Sequence, residues 1–403
     1  MQPFIDSRLL ARLRVGPLAP YLDVYVARIE QDGFSPSSAP CQAYVIARFS
    51  RWLQQENVGL ENLDEFGRKF LDRDPGSVHP AEAATVRRLI SMLRDTGVLK
   101  AKPAAPLTAA QQSVNEYRRY LVQQRGLSES CLPNYLSFVQ QFLSYRFAAG
   151  EPRFADLCAS DVTKFLKGQT GKLSPGRAKL LVTALRSFLR YLLHQGQITV
   201  ELAGCVPPVA SWSFSEIPKS LPAGTVQRVL AQQDRTTAAG CRNFAILMLL
   251  ARLGLRAGEV VALNLEDLDW EDGIIRIRRK GGRWTQLPLP ADVGEAYLRS
   301  GRPRCSSRRV FLRHSAPIRG FAYTVTVSSI VRRTLLRVGI DSARTGAHLF
   351  RHTLAADLLR NGPSLDEIGD VLGHRSPNTT ALYAKVDLVE LGTLALPWPG
   401  GAQ

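Results

Sequence analysis

The stretch HLFRHTLAADLLRNGPSLDEIGDVLGHRSPNTTALYAK, from His348 to Lys385, decides how this chain is read. It holds His348, His352 and His374, three of the six histidines in the sequence, together with Arg351 and Tyr383. A packed core has little use for so many polar groups, because each must find a hydrogen-bonding partner once it leaves water. A site that grips a phosphate and attacks it would use all of them. Apolar residues at helical intervals predict helices over HLFRHTLAADLLRNG, SLDEIGDVLG and PNTTALYAKV.

Further toward the N-terminus, TVQRVLAQQ, CRNFAILMLLARLG and VSSIVRRTLLRVG also read as helices. GIIRIRRKGGRWTQLPLP alternates around Gly281-Gly282, a hairpin signal whose arms are 274–279 and 284–289. RVFLRHSAPIRG suggests one more short strand. This region is therefore expected to be mostly helical with a small sheet.

Two proline-bearing segments without helical periodicity, KAKPAAPLT (100–108) and GCVPPVASWSFSEIPKSLP (204–222), divide the chain. Between them, AAQQSVNEYRRYLVQQRG, CLPNYLSFVQQFLSYRFA, ASDVTKFLKGQ and GRAKLLVTALRSFLRYLLHQG read as four helices. Ser160 and Asp161 suit the start of the third, and Gly196 the end of the fourth. The first hundred residues look like a second copy of the same plan, with Gly33 matching Gly126, Phe49 matching Phe142, Trp52 matching Tyr145 and Gly97 matching Gly196. Two unrelated helical hairpins of similar length are the other reading. The expected divisions are a helical module over 1–101, a helical domain over 106–203, a linker over 204–221, a mixed domain over 222–390 and a tail over 391–403.

Bulk composition narrows the function. A chain of 403 residues suits two or three domains, and 45% hydrophobic residues suffice for ordinary cores. A mean hydropathy of -0.09 and no run of 18 apolar residues argue against membrane spans. The N-terminal residues MQPFIDSRLLARLRVG lack a signal-peptide pattern. The six cysteines, at 41, 131, 158, 205, 241 and 305, form no C-x-x-C pair, so neither a zinc cage nor a disulfide framework is suggested. A reducing cytoplasm is the expected home. The net charge of +17 points to a polyanionic partner, with a merely solvated basic surface as the alternative. Residues 1–101 are nearly neutral, with 13 basic against 12 acidic side chains, so the surplus lies beyond them.

Taken singly, the polar candidates mean little. With six histidines and arginine at about one position in ten, a His-x-x-Arg pair such as 348 and 351 arises by chance about as often as not. Tyr383 could pack on a helix, Arg256 could pair with Glu259 at the surface, Lys280 could face water at a hairpin tip, and His374 could cap a helix. The set is another matter. In order it reads Arg256, Lys280, His348, Arg351, His374 and Tyr383, within GLRAGE, RKGGR, HLFRHT, LGHRS and TTALYAKV. This resembles the tyrosine recombinase, or phage integrase, family over residues 106 to about 390.

The resemblance implies a helical core-binding domain of SAM-like type followed by a mixed α+β catalytic domain, the two forming a C-shaped clamp around DNA. It also assigns roles. Arg256 and Arg351 would clamp the phosphate, because a guanidinium fork can hold two of its oxygens at once. Tyr383 would attack and become a covalent 3′-phosphotyrosine. A phenol with an ordinary pKa near 10 needs help losing its proton, and His348 would act as the base. Lys280 would protonate the departing 5′ oxygen, and His374 would donate a hydrogen bond to the phosphate. Glu259 would position Arg256, and His352 would support the site. No metal, nucleotide or other cofactor is then required, since cations of the chain itself meet the phosphoryl charge.

Candidate DNA contacts are Arg118, Arg119, Lys164, Lys167, Lys172, Lys179, Arg186 and Arg190 in the middle module, with Arg308 and Arg309 in the arginine cluster RPRCSSRRVFLRHSAPIR. A solvated arginine-rich loop is the other reading of that cluster. The expected protein is a site-specific recombinase, an integrase or transposase of a mobile element, acting on double-stranded DNA in the bacterial cytoplasm at the nucleoid. Its partners would be further copies of itself in a tetrameric synapse, with companion recombinases a further option. A DNA-relaxing enzyme of the same chemistry and a DNA-binding protein that no longer cuts are the alternatives.

Overall fold

The structure is a computed structural model describing residues 5–72, 80–100, 107–129, 131–148, 150–169, 171–209, 220–222, 224–279, 281–299, 301–303, 305–340, 346–374, 376–377 and 379–380. The expected site residues Lys280 and Tyr383, the second half of the PNTTALYAKV helix and the tail lie outside the described residues. The chain divides into two compact units. One joins residues 1–101 to 216–403, and the other is 102–215.

The N-terminal module comprises α1 (Ser7–Leu13), α2 (Leu22–Gln31), α3 (Ala39–Gln55), α4 (Leu63–Asp72) and α5 (Pro80–Asp95). Its own core contains Tyr25, Ile29, Phe49, Leu53, Leu89 and Leu93, all fully buried. Within that core Arg88 donates to Gln42 Oε1 at 2.7 Å, and Tyr25 donates to the same oxygen at 2.8 Å. A buried polar cluster of this kind is stable because its members satisfy one another.

The middle unit repeats the helix order as α6 (Ala109–Gln123), α7 (Leu132–Phe147), α8 (Ala159–Gln169) and α9 (Pro175–His194). Thr108 and Gln111 cap α6 reciprocally. The third helix starts at Ala159, and Asp161 reaches back to accept from the Cys158 N–H at 3.2 Å. The matched glycines adopt the same left-handed conformation, φ +74° and +62° at Gly33 and Gly126, and +75° and +69° at Gly97 and Gly196. The matched aromatics pack alike. Phe49 and Trp52 lie 4.9 and 5.6 Å from Phe70, while Phe142 and Tyr145 lie 5.3 and 5.5 Å from Phe165. The two helical segments thus share left-handed glycines at corresponding helix ends and a similar aromatic cluster.

The remainder of the first unit holds α10 (Thr225–Ala231), α11 (Ala238–Leu253), α12 (Ala257–Ala262), β1 (Leu268–Asp269), β2 (Ile274–Arg278), β3 (Trp284–Pro288), α13 (Ala291–Leu298), α14 (Val325–Arg337), α15 (His348–Arg360) and α16 (Leu365–Leu372). Residues 245–250 are buried on every side of α11, which makes it the central helix. The sheet runs β1-β2-β3, antiparallel throughout, with Ile275 opposite Leu287 and Ile277 opposite Thr285. Ile275 and Ile277 face the core while Arg276 and Arg278 face solvent, the alternation that the sequence predicts. The Leu221 N–H donates to Thr353 Oγ1 at 2.9 Å, fastening the start of this region to α15.

The fold class is as expected, mainly helical with a small sheet. One element differs. The strand suggested by RVFLRHSAPIRG does not form; two isolated bridges, Asn264 with Arg309 and Leu312 with Gly320, stand in its place. The segment folds back on itself, with the Arg313 N–H donating to the Arg319 carbonyl at 3.0 Å, so it cannot extend as one strand.

Candidate active site

The site is built where α11 ends. Gly254 closes that helix with φ +59°, and a Cβ there would come within 2.8 Å of Leu372 Cδ2, so glycine lets α16 approach closely. Arg256 follows at once, before the short helix α12. Its backbone N–H donates to Glu259 Oε2 at 2.9 Å, and its Nη1 donates to Oε1 at 2.8 Å. Glu259 is only 5% exposed, so the carboxylate is a fixed bracket for the Arg256 fork.

A residue that sequence reasoning missed shares this bracket. Arg279, 4% exposed at the end of β2, donates from Nη1 to Glu259 Oε2 at 3.2 Å and from Nη2 to the Val371 carbonyl at 3.2 Å. A Cβ at Gly373 would meet Arg279 Nε at 2.9 Å, so that glycine makes room for the guanidinium beside His374. Burial pulls the Arg279 pKa below the usual range, Glu259 opposes this, and Arg256 adds to it. In sequence Arg279 is one of several arginines around the hairpin. Its position on the buried side of β2, two residues after Ile277, was the available signal.

Arg351, on α15 and 3% exposed, joins three elements. Nη1 donates to the Gly254 carbonyl at 2.7 Å and Nη2 to the Leu372 carbonyl at 2.5 Å, which ties α15 to the ends of α11 and α16. His348 lies one turn earlier on the same helix, and its ring centre is 6.4 Å from that of His352. His374 follows the left-handed Gly373, and its Nδ1 sits 2.8 Å from the hydroxyl of Thr380, itself 2% exposed. With the hydroxyl donating, the ring proton resides on Nε2.

These groups converge: Arg351 grips the Gly254 carbonyl two residues before Arg256 and the Leu372 carbonyl two residues before His374, and Arg256 and His348 line one cavity. Burial lowers the His348 pKa, and Arg351 and Arg256 lower it further. Burial lowers that of His374 to about 4, with Arg351, Arg256, His352 and Arg279 adding their repulsion. Both rings are therefore neutral at pH 7, and both feel the two arginines that the sequence placed nearly a hundred residues apart. Arg256, Glu259, Arg278, Arg279, Thr324 and His348 line a cavity of about 510 Å³. It is a cationic recess with one buried carboxylate, able to receive a phosphodiester.

Of the expected site residues, Arg256, Glu259, His348, Arg351, His352 and His374 are brought together here. The expected DNA contacts are more varied. Arg119, Lys164, Lys167, Lys172, Lys179 and Arg190 are exposed. Arg118 pairs with Glu129 at 2.8 Å. Arg186 is half-buried and donates to the Val206 carbonyl from Nε at 3.1 Å and Nη2 at 2.6 Å. Arg308 pairs with Glu266, and Arg309 donates to the Ala262 carbonyl.

Comparison with known proteins places the chain among the DNA strand-transferases. Residues 219–389 match the phage integrase family and residues 114–196 the phage integrase N-terminal SAM-like domain. Over its whole length the chain is 48% identical to y4rA of Sinorhizobium fredii, named as an integrase/recombinase, and the match covers all of both chains. The tyrosine recombinase XerD of Listeria monocytogenes is 29% identical over 69% of this chain and 95% of its own length. The chain belongs to the phage integrase family of tyrosine recombinases. Among solved structures, XerH recombinase bound to palindromic difH substrate superposes with a TM-score of 0.56 at 20% identity, covering 84% of this chain and 96% of that one. A lambda integrase (75–356) dimer bound to a COC′ core site gives 0.52 at 18%, covering 68% and 94%. These likenesses speak to fold.

Proposed function

We propose that the protein is a site-specific DNA recombinase of a mobile element that breaks and rejoins strands through a covalent 3′-phosphotyrosine at Tyr383. The observation that carries this reading is the convergence of Arg256 and Arg351 on two neutral imidazoles. The two guanidiniums meet the charge of the phosphoryl oxygens, which in a solvent-poor recess is where electrostatic stabilisation is greatest. His348, held neutral, accepts the phenolic proton. His374, with Nδ1 turned to Thr380, presents Nε2–H to a phosphate oxygen. Tyr383 is three residue steps beyond Thr380, a reach of about 11 Å at most. Lys280, next to the bracketed Arg279, gives its proton to the leaving 5′ oxygen. Bond energy is kept in the phosphotyrosine, so another 5′ hydroxyl reverses the step without ATP, and no metal is needed. The relatives named for recombination, and the structures of neighbours bound to DNA, support DNA as the substrate and further copies of the chain as partners.

The test is a set of nicked duplexes tiled across DNA flanking the gene, incubated with the protein in EDTA. A denaturant-resistant protein–DNA species is expected with the native chain and not with Tyr383→Phe. Absence of any such species from both would favour a binding-only protein. Relaxation of arbitrary plasmids by the monomer would favour a topoisomerase.

A further inference from the structure

The loop leading into α14 makes a second basic cleft in the same unit. Arg242 from α11, Arg313, His314 and Arg319 from the loop, and Tyr323 at the rim line a cavity of about 570 Å³. No carboxylate is among its described lining residues. Arg242 donates to neutral acceptors alone among its described bonds, the Leu312 carbonyl at 2.9 Å and the Asn243 amide oxygen at 3.2 and 2.7 Å. Burial, with Arg333 adding repulsion, brings its pKa down to about 10, and burial with Arg242 lowers that of His314. Cations gathered without a counter-charge are stabilised by a visiting anion. Tyr323, 73% exposed, adds a hydroxyl of the kind that contacts phosphate oxygens.

The N-terminal module shapes this loop. The Ile318 N–H donates at 2.8 Å to the carbonyl of Asp32, which ends α2 and has no partner within that helix. Gly33 follows with φ +74°, and a Cβ there would lie 2.5 Å from Ile318 Cδ1. The matched turn at Gly126, φ +62°, has open space at the same place. The helix-ending turn occurs in both modules, and in the first it is fitted to the loop.

We propose that this cleft binds a backbone phosphate of DNA in addition to the one held at the Arg256–Arg351 site, and that residues 1–101 brace the arginine loop in its binding shape. The proposal rests on the DNA reading above. It gives the extra module a task that its near-neutral charge permits, since the module need not touch DNA itself.

The experiment titrates the full chain into a fluorescein-labelled duplex of arbitrary sequence over a series of salt concentrations. Arg313→Ala and Arg319→Ala are each expected to reduce the slope of log K against log salt by about 1. Gly33→Ala is expected to reduce it as well, and Gly33→Ala with Ile318→Ala to restore it, because the shortened side chain clears the added methyl. Gly97→Ala is the control. It carries the same positive φ, +75°, in the same module but has open space around it, so its slope should match the native one. Unchanged slopes in both arginine variants, with the native chain binding normally, would overturn the cleft and leave the DNA reading intact. Failure of the double variant to restore binding, or an equal loss in Gly97→Ala, would overturn the brace. No salt-dependent binding by the native chain would overturn both readings.

Discussion

Arg279 and Arg256 share one buried carboxylate: Glu259 takes Arg279 on Oε2 at 3.2 Å and Arg256 on Oε1 at 2.8 Å. The residue proposed to clamp phosphate is thus held by a group that is itself held from the β hairpin, and the hairpin is joined to α16 through the Val371 carbonyl. Hairpin, α12 and α16 are thereby kept in mutual register around the recess.

Arg279→Met should therefore cost more than its distance from solvent suggests. Glu259 keeps Arg256 as its partner, so the loss is that of the two buried hydrogen bonds Arg279 makes to Glu259 and the Val371 carbonyl, about 1–3 kcal/mol. Urea unfolding is expected to show a loss of that order, and cleavage at permissive temperature should fall with it as Arg256 loses its fixed pose. A variant with native stability and native cleavage would contradict the bracket.

Arg186 and Arg190 lie one turn apart on α9 and should behave oppositely. Arg186→Ala removes two hydrogen bonds to the Val206 carbonyl and should destabilise the middle unit by about 1–3 kcal/mol. Arg190→Ala, at an exposed position, should change stability by less than about 0.5 kcal/mol and instead weaken DNA binding at low salt. Thermal melts and binding isotherms on both variants separate the two roles.

His374 sets an acid limit. Its folded pKa, near 4, lies below the unfolded value of about 6.5, so the unfolded chain binds a proton first as pH falls. Its contribution to stability is complete above about 6.5 and is lost progressively toward 4. Nuclear magnetic resonance of the ring protons should give a midpoint near 4. A midpoint near 6.5 would place the ring in water and away from the arginines.

Gly254→Ala tests the junction of α11 with α16. The left-handed backbone costs about 1–2 kcal/mol for a residue with a Cβ. Contact with Leu372 at 2.8 Å adds overpacking of about 1–3 kcal/mol. The summed loss should appear in denaturant midpoints, and Leu372→Ala in the same chain should not recover the backbone part.

Much of this was legible in the sequence, for identifiable reasons. The helices around Leu181–Leu192 and the Ile275–Ile277 hairpin announce themselves because burial on one face imposes a period. The glycines at 33, 97, 126 and 196 mark helix ends because the left-handed turn suits a residue without Cβ. Arg279 was hidden among like residues, and its one signal was its place on the buried face, two residues after Ile277. Arg186 was read as a DNA contact because its carbonyl partner, Val206, is twenty residues away and has no side-chain signature. The meeting of Asp32 with Ile318 spans nearly three hundred residues, and neither residue hints at the other. The strand expected within 309–320 failed because alternation over so short a segment does not reveal a reversal.

The most direct test of the central claim is mass spectrometry of a nuclease-trimmed, protease-digested cleavage complex. The account predicts a nucleotide remnant esterified through its 3′ phosphate to the tyrosine of the peptide that contains Tyr383. A remnant on any other residue, or a cleaved strand whose 3′ phosphate carries no peptide, would contradict it.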